Sequence, residues 1–440
     1  MISMFGLALA LALLMFLAMR GWSILIAGPL CALIVALTSA VPLLPPLAHG
    51  GTKDFATLYM AGFTAVFAKF FIVFLLGAIF GKLMEQTGSA DSVARWVVGA
   101  LGVRRAMLAV VAACAILTYG GVSVFIVAFS VYPMAVSLFR EADLPRRFIP
   151  GAIAFGSVTF TMTSAGSPEI QNFLPTDYLG TTYWAGWQVS IVVAILMALT
   201  GYLWLSRMIA RAGAAGERFE ARTSDNAARE AHTLPHPALA IAPLVVVQVT
   251  AFLMRDWHLD ALVVALAAGV LAILLINARI WRDLGGAFSL GAMGAVVAAA
   301  NTGAVVGFGA VAKITPAFHA ALDAVTSLPG SPLIAAAIAV TTICGLTGSA
   351  SGGQLIALPL LAPHYVGADA PQPVDPAALH RVIAIASGGL DSLPHNGYVV
   401  TTIRAICGET HKDAYGPVGA LTVIVPALGL VVAIGLFLLF

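Results

Sequence analysis

The sequence is poor in charged residues, and this shortage excludes most classes of soluble protein. Only 10% of its 440 residues are charged, whereas 60% are hydrophobic. A soluble domain carries roughly a quarter of charged residues, so the composition predicts an integral membrane protein with a lipid bilayer around it. A formal net charge of +2 provides no basic excess for nucleic acid, and we expect no such partner.

Cysteine is also scarce, which argues against a disulfide scaffold and against a metal centre. The four cysteines are Cys31, Cys114, Cys344 and Cys407, and no two of them form a C-x-x-C pair. All four lie in apolar stretches, where cysteine acts as a small packing residue. We therefore expect no metal site and no cofactor.

The apolar runs are long and continuous, as in helical membrane proteins. A spanning helix needs about 20 apolar residues, so the chain has room for about ten spans. The run at 2–19 is long enough to span and has no basic residue before it, so we expect a membrane segment and not a cleaved signal. Two runs, 105–139 and 330–363, are too long for one span and contain Gly/Ser-rich stretches. We interpret both as re-entrant hairpins, because irregular backbone at membrane depth needs protein or a water-filled cavity around it.

The two halves of the chain resemble each other in the order of these features. The fold class that we predict is an all-α polytopic membrane protein with two inverted-topology repeats, about ten spanning helices, two re-entrant hairpins and two broken helices. The first repeat, 1–206, contains scaffold spans, the hairpin 105–139, a broken helix at 148–175 and a span at 184–206. A cytoplasmic linker at 207–235 leads to the second repeat, 236–440, with scaffold spans, the hairpin 330–363, a broken helix at 377–403 and a final span.

Inverted repeats are typical of secondary transporters, whose binding sites lie near the midplane at broken helices. The alternative is that the Gly/Ser clusters only allow helices to pack closely. Basic residues collect on the cytoplasmic side of membrane proteins. If the N-terminus is outside and both long runs are hairpins, most of the basic residues of this chain fall on the cytoplasmic side. Only Lys53, Arg255, Lys313 and Arg381 then fall outside, and Lys69 falls within the membrane. We expect a bacterial inner-membrane protein with both termini in the periplasm.

Two acidic residues, Glu169 and Asp391, fall within the predicted membrane segments, at equivalent helix breaks. A charge at the bilayer centre costs about 2.5–3.5 kcal/mol, so such acids persist where they line a polar cavity or change protonation. His395 titrates near neutral pH and lies about one helical turn from Asp391 in the sequence. We predict that Asp391, His395 and Glu169 couple transport to protons. The alternative is that the acids only cap half-helices.

Hairpin tips and helix breaks expose backbone N–H groups at helix N-termini, which favour an anion. Neutral hydroxyls, amides and glycines surround these positions, which suits a small carboxylate with hydroxyl groups. The residues that we predict to bind it are Thr118, Gly120, Gly121, Ser123, Ser164, Gly166, Ser167, Asn172, Ser349, Ser351, Gly352, Ser387, Gly388, Asn396 and Lys69. Lys69 could pair with the substrate, with Glu169 or with Asp391, or its long side chain could reach the membrane surface.

At these motifs the sequence resembles the gluconate permease (GntP) family of H+/gluconate-type symporters, within the ion transporter superfamily. The most specific stretch is ASGGLDSLPHNG at 386–397; the others are 81–88, 118–133, 145–151, 166–172, 301–307 and 348–352. The resemblance implies proton-coupled uptake of gluconate-like sugar acids or of short hydroxy-carboxylates such as 3-hydroxybutyrate. It also implies a scaffold domain that forms a homodimer, a transport domain that holds the hairpins, and an elevator-like motion.

Two other functions are compatible with the same residues. A sodium-coupled carrier or a channel would also use carbonyl and hydroxyl oxygens at broken helices. An intramembrane serine hydrolase would use Ser349 or Ser351 as nucleophile and His395 as base. Neither serine lies in a G-x-S-x-G motif, and hydrolysis has no use for an inverted repeat, so we do not expect an enzyme.

Overall fold

The computed structural model describes residues 2–20, 22–47, 53–102, 105–222, 234–278, 283–326, 330–367 and 370–439, which contain helices and no strand. Six helices in these residues are long and apolar enough to cross a membrane, by length and composition. Helices satisfy their own backbone hydrogen bonds, as a segment in lipid must. The predicted fold class, an all-α polytopic membrane protein, is confirmed.

The helices alternate between long spans and short interrupted pieces. The first half contains α1 (Ile2–Met19), α2 (Ile24–Thr38), α3 (Phe55–Gln86), α4 (Ser89–Leu101), α5 (Ala106–Tyr119), α6 (Val124–Glu141), α7 (Ile149–Ala154), α8 (Ile170–Leu179) and α9 (Trp187–Ala214). The second half contains α10 (Pro237–Leu253), α11 (Leu259–Ile276), α12 (Leu284–Lys313), α13 (Pro316–Thr326), α14 (Pro332–Thr347), α15 (Ala350–Tyr365), α16 (Pro376–Gly389), α17 (Gly397–Val400), α18 (His411–Gly419) and α19 (Val425–Leu439).

Helix ends and interruptions lie where glycine, serine and proline cluster in the sequence. Helices α5 and α6 meet at 120–123, and α14 and α15 meet at 348–349; we call these the first and second tips. Helix α7 continues as a π-helical turn to Thr159 and the chain becomes helical again only at α8. Helix α16 ends at Gly389, before a 3-10 turn and irregular residues up to Asn396. We call these the first and second breaks. The inverted relation of the halves stays a prediction.

Several boundaries differ from those predicted. Helix α9 extends to Ala214, so the first part of the predicted linker 207–235 is helical, while 223–233 lie outside the described residues. Helices α4 and α13 lie where no span was predicted. The apolar residues of α4 occupy one face, where Val93, Ala94 and Val97 are buried, and such short amphipathic helices are missed when only long apolar runs are sought.

The helices pack in two groups. Helix α3 runs along α12, α2 packs against α12, α11 packs against α3, and α10 packs against α11 and α4. The helices of the tips and breaks pack with one another and with α9 and α19. Glycine allows the α3–α12 contact: a Cβ on Gly62 would lie 2.7 Å from the carbonyl oxygen of Val306. A Cβ on Gly307 would lie 2.9 Å from that of Tyr59. This small-residue crossing holds the first group together and presents it to the tips.

Candidate substrate site

A cavity of about 960 Å³ lies where the two tips and the two breaks meet. Helices α3, α11 and α12 of the first group line its other walls with mostly apolar side chains. This mixture of apolar walls and a few polar groups is typical of small-molecule sites. The predicted residues that line the cavity are Gly121, Ser123, Glu169, Ser349, Ser351, Asp391, His395 and Asn396.

The first tip and the first break are tied together beside this cavity. The hydroxyl of Tyr119 donates to the carbonyl oxygen of Ala165 at 2.6 Å. Gly121 adopts φ +89°, and a Cβ there would lie 3.3 Å from the ring of Pro168. Ser123 precedes α6 without capping it through its side chain, so the first-turn N–H groups of α6 have no side-chain acceptor there.

Glu169 stands at the N-terminus of α8 and lines the cavity without a partner. Its side chain does not cap the helix. Among the described residues it makes no hydrogen bond and no ion pair. A carboxyl group with neither a cation nor a donor beside it is a costly feature of a membrane interior, and such features are retained where they have a function.

The second tip and the second break are joined by direct hydrogen bonds. The side-chain amide of Asn396 donates to the carbonyl oxygen of Gly348 at 3.0 Å, and its Oδ1 accepts from the backbone of Val399. Ser349 caps α15 by accepting from the backbone N–H of Gly352 at 3.1 Å. Gly348 adopts φ +61°, and a Cβ there would lie 2.7 Å from the imidazole of His395. The glycine at 348 therefore leaves the space that this ring occupies.

Asp391 and His395 line the same cavity, but they are not a helical pair as predicted. Asp391 lies in a 3-10 turn and the chain from Leu393 to Asn396 is irregular, so the one-turn spacing expected from the sequence does not apply. Asp391 accepts from the hydroxyl of Ser392 at 3.0 Å and faces the backbone N–H of Ala350. Within the described residues, Nε2 of His395 has no hydrogen-bond partner.

The remaining predicted residues pack outside the cavity lining. Thr118 and Ser167 are buried, and Ser164 donates to the carbonyl oxygen of Phe160 at 2.6 Å. Ser387 bonds to Ala384 and Gln354. The glycines lie against other side chains: Gly120 against Leu244, Gly166 against Trp184, Gly352 against Val305 and Gly388 against Thr163. These residues shape the tips and breaks, and the structure does not bring them to the cavity surface.

Asn172, predicted to bind substrate, is held instead by Arg381. Its Oδ1 accepts from Nη1 of Arg381 at 2.8 Å, and its Nδ2 donates to the carbonyl oxygens of Ser164 and Ser167. The distribution of basic residues assigned Arg381 to the external side, and the structure buries its side chain, 0% exposed, within α16. The guanidinium also donates to the carbonyl oxygens of Thr163, Tyr183 and Ala185, at 2.6, 3.2 and 2.9 Å respectively.

The neighbouring His380 adds bonds to the same region, at Thr181 and at the backbone oxygen of Asn172. A break in a helix leaves carbonyl groups without their usual partners, and the five N–H groups of arginine can satisfy several of them. Arg381 therefore holds the first break from the second half of the chain.

Lys69 was predicted to meet the substrate or one of the two membrane acids, and the structure gives it another partner. Its ammonium lies 2.9 Å from the carboxylate of Asp177 in α8 and 4.7 Å from the ring centre of Tyr178. Lys69 does not line the 960 Å³ cavity. The predicted membrane segment ended at residue 175, two residues before Asp177, so this ion pair could not be recognised from the sequence.

Several polar residues that the sequence did not single out as site residues line the cavity, and four of them come from the two long helices α3 and α12. These four are Lys82 and Glu85 of α3 and Asn301 and Thr302 of α12. Lys82, Glu85, Asn301 and Thr302 all lie in the family-like stretches 81–88 and 301–307, which were the available signal. Lys82 was assigned to the cytoplasmic side by the distribution of basic residues, and the structure gives its helix, α3, an end at Gln86.

Comparison with known proteins agrees with the family resemblance. The family model described as GntP family permease matches residues 2–277. An uncharacterized transporter of Bacillus subtilis (strain 168), YxjC, is 37% identical over 456 aligned residues, covering 94% of this chain and 95% of the relative.

A solved structure of MtrF from Neisseria gonorrhoeae, described with a class of antimetabolite efflux pumps, covers 94% of each chain at 12% identity with a TM-score of 0.49. So distant a likeness carries no inference about this chain. The family match and the identity to the Bacillus protein establish the assignment: the chain belongs to the GntP permease family and is a multi-pass membrane transporter.

Proposed function

We propose that this transporter takes up small organic anions by proton symport across the bacterial inner membrane. The substrate is a gluconate-like sugar acid or a short hydroxy-carboxylate such as 3-hydroxybutyrate. The observation that carries the proposal is the unpartnered carboxyl of Glu169 in a cavity built from two tips and two breaks. Asp391 and His395 are the other titratable groups that we propose for coupling.

Charge balance in the cavity supports proton coupling. The acids among the described lining residues are Glu85, Glu169 and Asp391, and Lys82 opposes them. Two like charges 5 Å apart at an effective dielectric constant of 20 repel by about 3 kcal/mol. A carboxylate substrate therefore binds well only when an acid beside it is protonated. Proton and substrate binding then strengthen each other, as linkage requires.

The neutral groups of the cavity suit the rest of such a substrate. Ser123, Ser351, Asn301 and Thr302 offer hydroxyls or amides, and the first turns of α6 and α8 lack side-chain caps. Helix N-termini of this kind bind carboxylates through backbone N–H groups. The lining residues form no arginine cluster, which a phosphate ester would favour.

The packing of the helices into two groups supports an elevator-like motion. The tips and breaks would move as a transport domain along α3 and α12, with α3, α12 and their neighbours as the scaffold of a homodimer. Because the cavity lies between the two groups, a shift of one against the other would expose it to the opposite side.

Uptake into proteoliposomes tests this function against the alternatives. We expect labelled 3-hydroxybutyrate or gluconate to accumulate when the outside is acidic, with sodium or with choline as the external cation. Accumulation that needs sodium and ignores the pH gradient would make the protein a sodium-coupled carrier. A hydrolase would release products without any gradient, and the unpartnered Nε2 of His395 gives no sign of the serine–histidine pair that it needs.

A further inference from the structure

Lys82 is the only lysine or arginine among the described residues that line the 960 Å³ cavity. Its ammonium lies 3.1 Å from both carboxylate oxygens of Glu85, one turn further along α3. The two side chains are 24% and 25% exposed. The pair is thus reachable from the cavity and is not a sealed internal ion pair.

Helix packing brings Lys82 close to the first tip. The preceding residue, Gly81, faces α6: a Cβ there would lie 2.5 Å from the side chain of Ile126 and 3.8 Å from that of Ser123. The small residue at this point leaves room for the side chain of Ile126 between α3 and α6. Ser123 precedes the first turn of α6 and lines the same cavity as Lys82.

We propose that Lys82 is the cationic residue that binds the substrate carboxylate, and that Glu85 holds its ammonium until the substrate replaces it. This inference rests on the proposed function, because it takes an organic anion as the substrate. Exchange of one carboxylate for another keeps the ammonium paired throughout, so Lys82 is never left as an uncompensated charge. A ligand without a negative charge cannot replace Glu85 and gains nothing from Lys82.

The chain offers a matched control on the same helix. Lys69 also lies in α3 and also pairs with an acid, Asp177, but it does not line the cavity. Lys69→Gln and Lys82→Gln remove the same charge from the same helix. Only the second removes it from the proposed site.

The test measures exchange of labelled 3-hydroxybutyrate across proteoliposomes without a pH gradient, with the amide of the same acid as an uncharged competitor. We expect Lys82→Gln to raise the KM at least tenfold and Lys82→Arg to raise it much less. Competition by the amide should not change in either variant. Lys69→Gln should keep the KM of the unmodified protein.

Glu85→Gln gives a second readout that leaves Lys82 in place. Loss of the competing carboxylate should lower the KM about threefold, so the proposal stays testable if Lys82→Gln does not fold. An unchanged KM in Lys82→Gln, an equal increase in Lys69→Gln, or an unchanged KM in Glu85→Gln would overturn the proposal. Exchange does not require coupling, so a failure of proton-driven accumulation would leave these results interpretable.

Discussion

Arg381 in α16 donates to Oδ1 of Asn172 in α8 at 2.8 Å, which joins the two halves of the chain at the first break. The same guanidinium bonds to three backbone carbonyl oxygens around that break. Arginine has five N–H donors in a fixed fork, which lets one side chain satisfy this irregular segment. No acidic residue pairs with it in the part of the chain that the structure describes.

Removal of this side chain should destabilise the protein strongly. Each buried acceptor left without a donor costs about 1–3 kcal/mol, so Arg381→Met should lower the free energy of unfolding by at least about 3 kcal/mol. Thermal unfolding in detergent measures the change. The unfolding temperature of Arg381→Lys should lie between those of Arg381→Met and the unmodified protein. The exposed Arg211 provides the control, since Arg211→Gln should cost less than about 0.5 kcal/mol. If Arg381→Met unfolds at the temperature of the unmodified protein, the clamp does not stabilise the break.

The contact between Gly348 and His395 should be essential for transport. Ala at 348 would place a methyl group 2.7 Å from the imidazole and would strain a backbone with φ +61°. Gly180 has nearly the same backbone, with φ +63°, and open space around it. Alanine at either position therefore has the same backbone strain of a left-handed residue, about 1–2 kcal/mol, and only alanine at 348 also meets the imidazole. We expect Gly348→Ala to reduce uptake at least tenfold and Gly180→Ala to retain most of it; equal losses would assign the effect to backbone strain alone.

Neutralising the cavity acids should separate coupling from exchange. Glu169→Gln should abolish accumulation driven by a pH gradient but allow exchange of substrate, because a permanently uncharged side chain neither repels an anion nor releases a proton. Asp391→Asn should act in the same direction. Asp177 lies on the same helix as Glu169 but outside the cavity lining, so Asp177→Asn should still accumulate substrate. Undiminished accumulation in both Glu169→Gln and Asp391→Asn would remove these acids from the coupling mechanism.

An ion pair after α9 should make stability depend on pH. Arg147 donates to both carboxylate oxygens of Glu217 at 2.7 and 2.9 Å, and these bonds lower the pKa of Glu217 in the folded protein. The stabilisation is complete above the ordinary glutamate pKa of about 4.3 and is lost as the pH falls through the lowered value. Both side chains are partly exposed, so it should amount to less than about 1 kcal/mol.

Thermal unfolding at pH 7 and at pH 3.5 checks this dependence. Glu217→Gln should unfold at a lower temperature than the unmodified protein at pH 7, and the gap should narrow at pH 3.5. Glu220 lies exposed in the same segment, and Glu220→Gln should show no such pH-dependent gap. A gap for Glu217→Gln that persists or widens in acid would contradict the assignment.

The sequence was a good guide to the places where helices stop. Glycine, serine and proline interrupt helices by local backbone preferences, so the tips and breaks could be located without knowledge of the packing. Which residues of a break face the cavity could not be predicted, because irregular backbone has no fixed periodicity. Asn172 turns towards Arg381 while Glu169, three residues earlier, lines the cavity.

Long-range pairs were the other limit of sequence reasoning. The partner of Lys69 is more than a hundred residues away in the chain, and nothing local indicates it. Lys82 was assigned to the cytoplasmic surface because basic residues usually collect there. That tendency concerns loops and helix ends. It gives no information on whether a lysine near the end of α3 lines a cavity, as Lys82 does.

Recording the pH inside proteoliposomes during substrate entry tests the central claim most directly. With no imposed pH gradient, addition of 3-hydroxybutyrate or gluconate outside should acidify the lumen of vesicles that contain the unmodified protein, because each anion enters with at least one proton. Vesicles with Glu169→Gln should take up substrate by exchange and show no acidification. Substrate entry through the unmodified protein at constant lumenal pH would contradict proton symport.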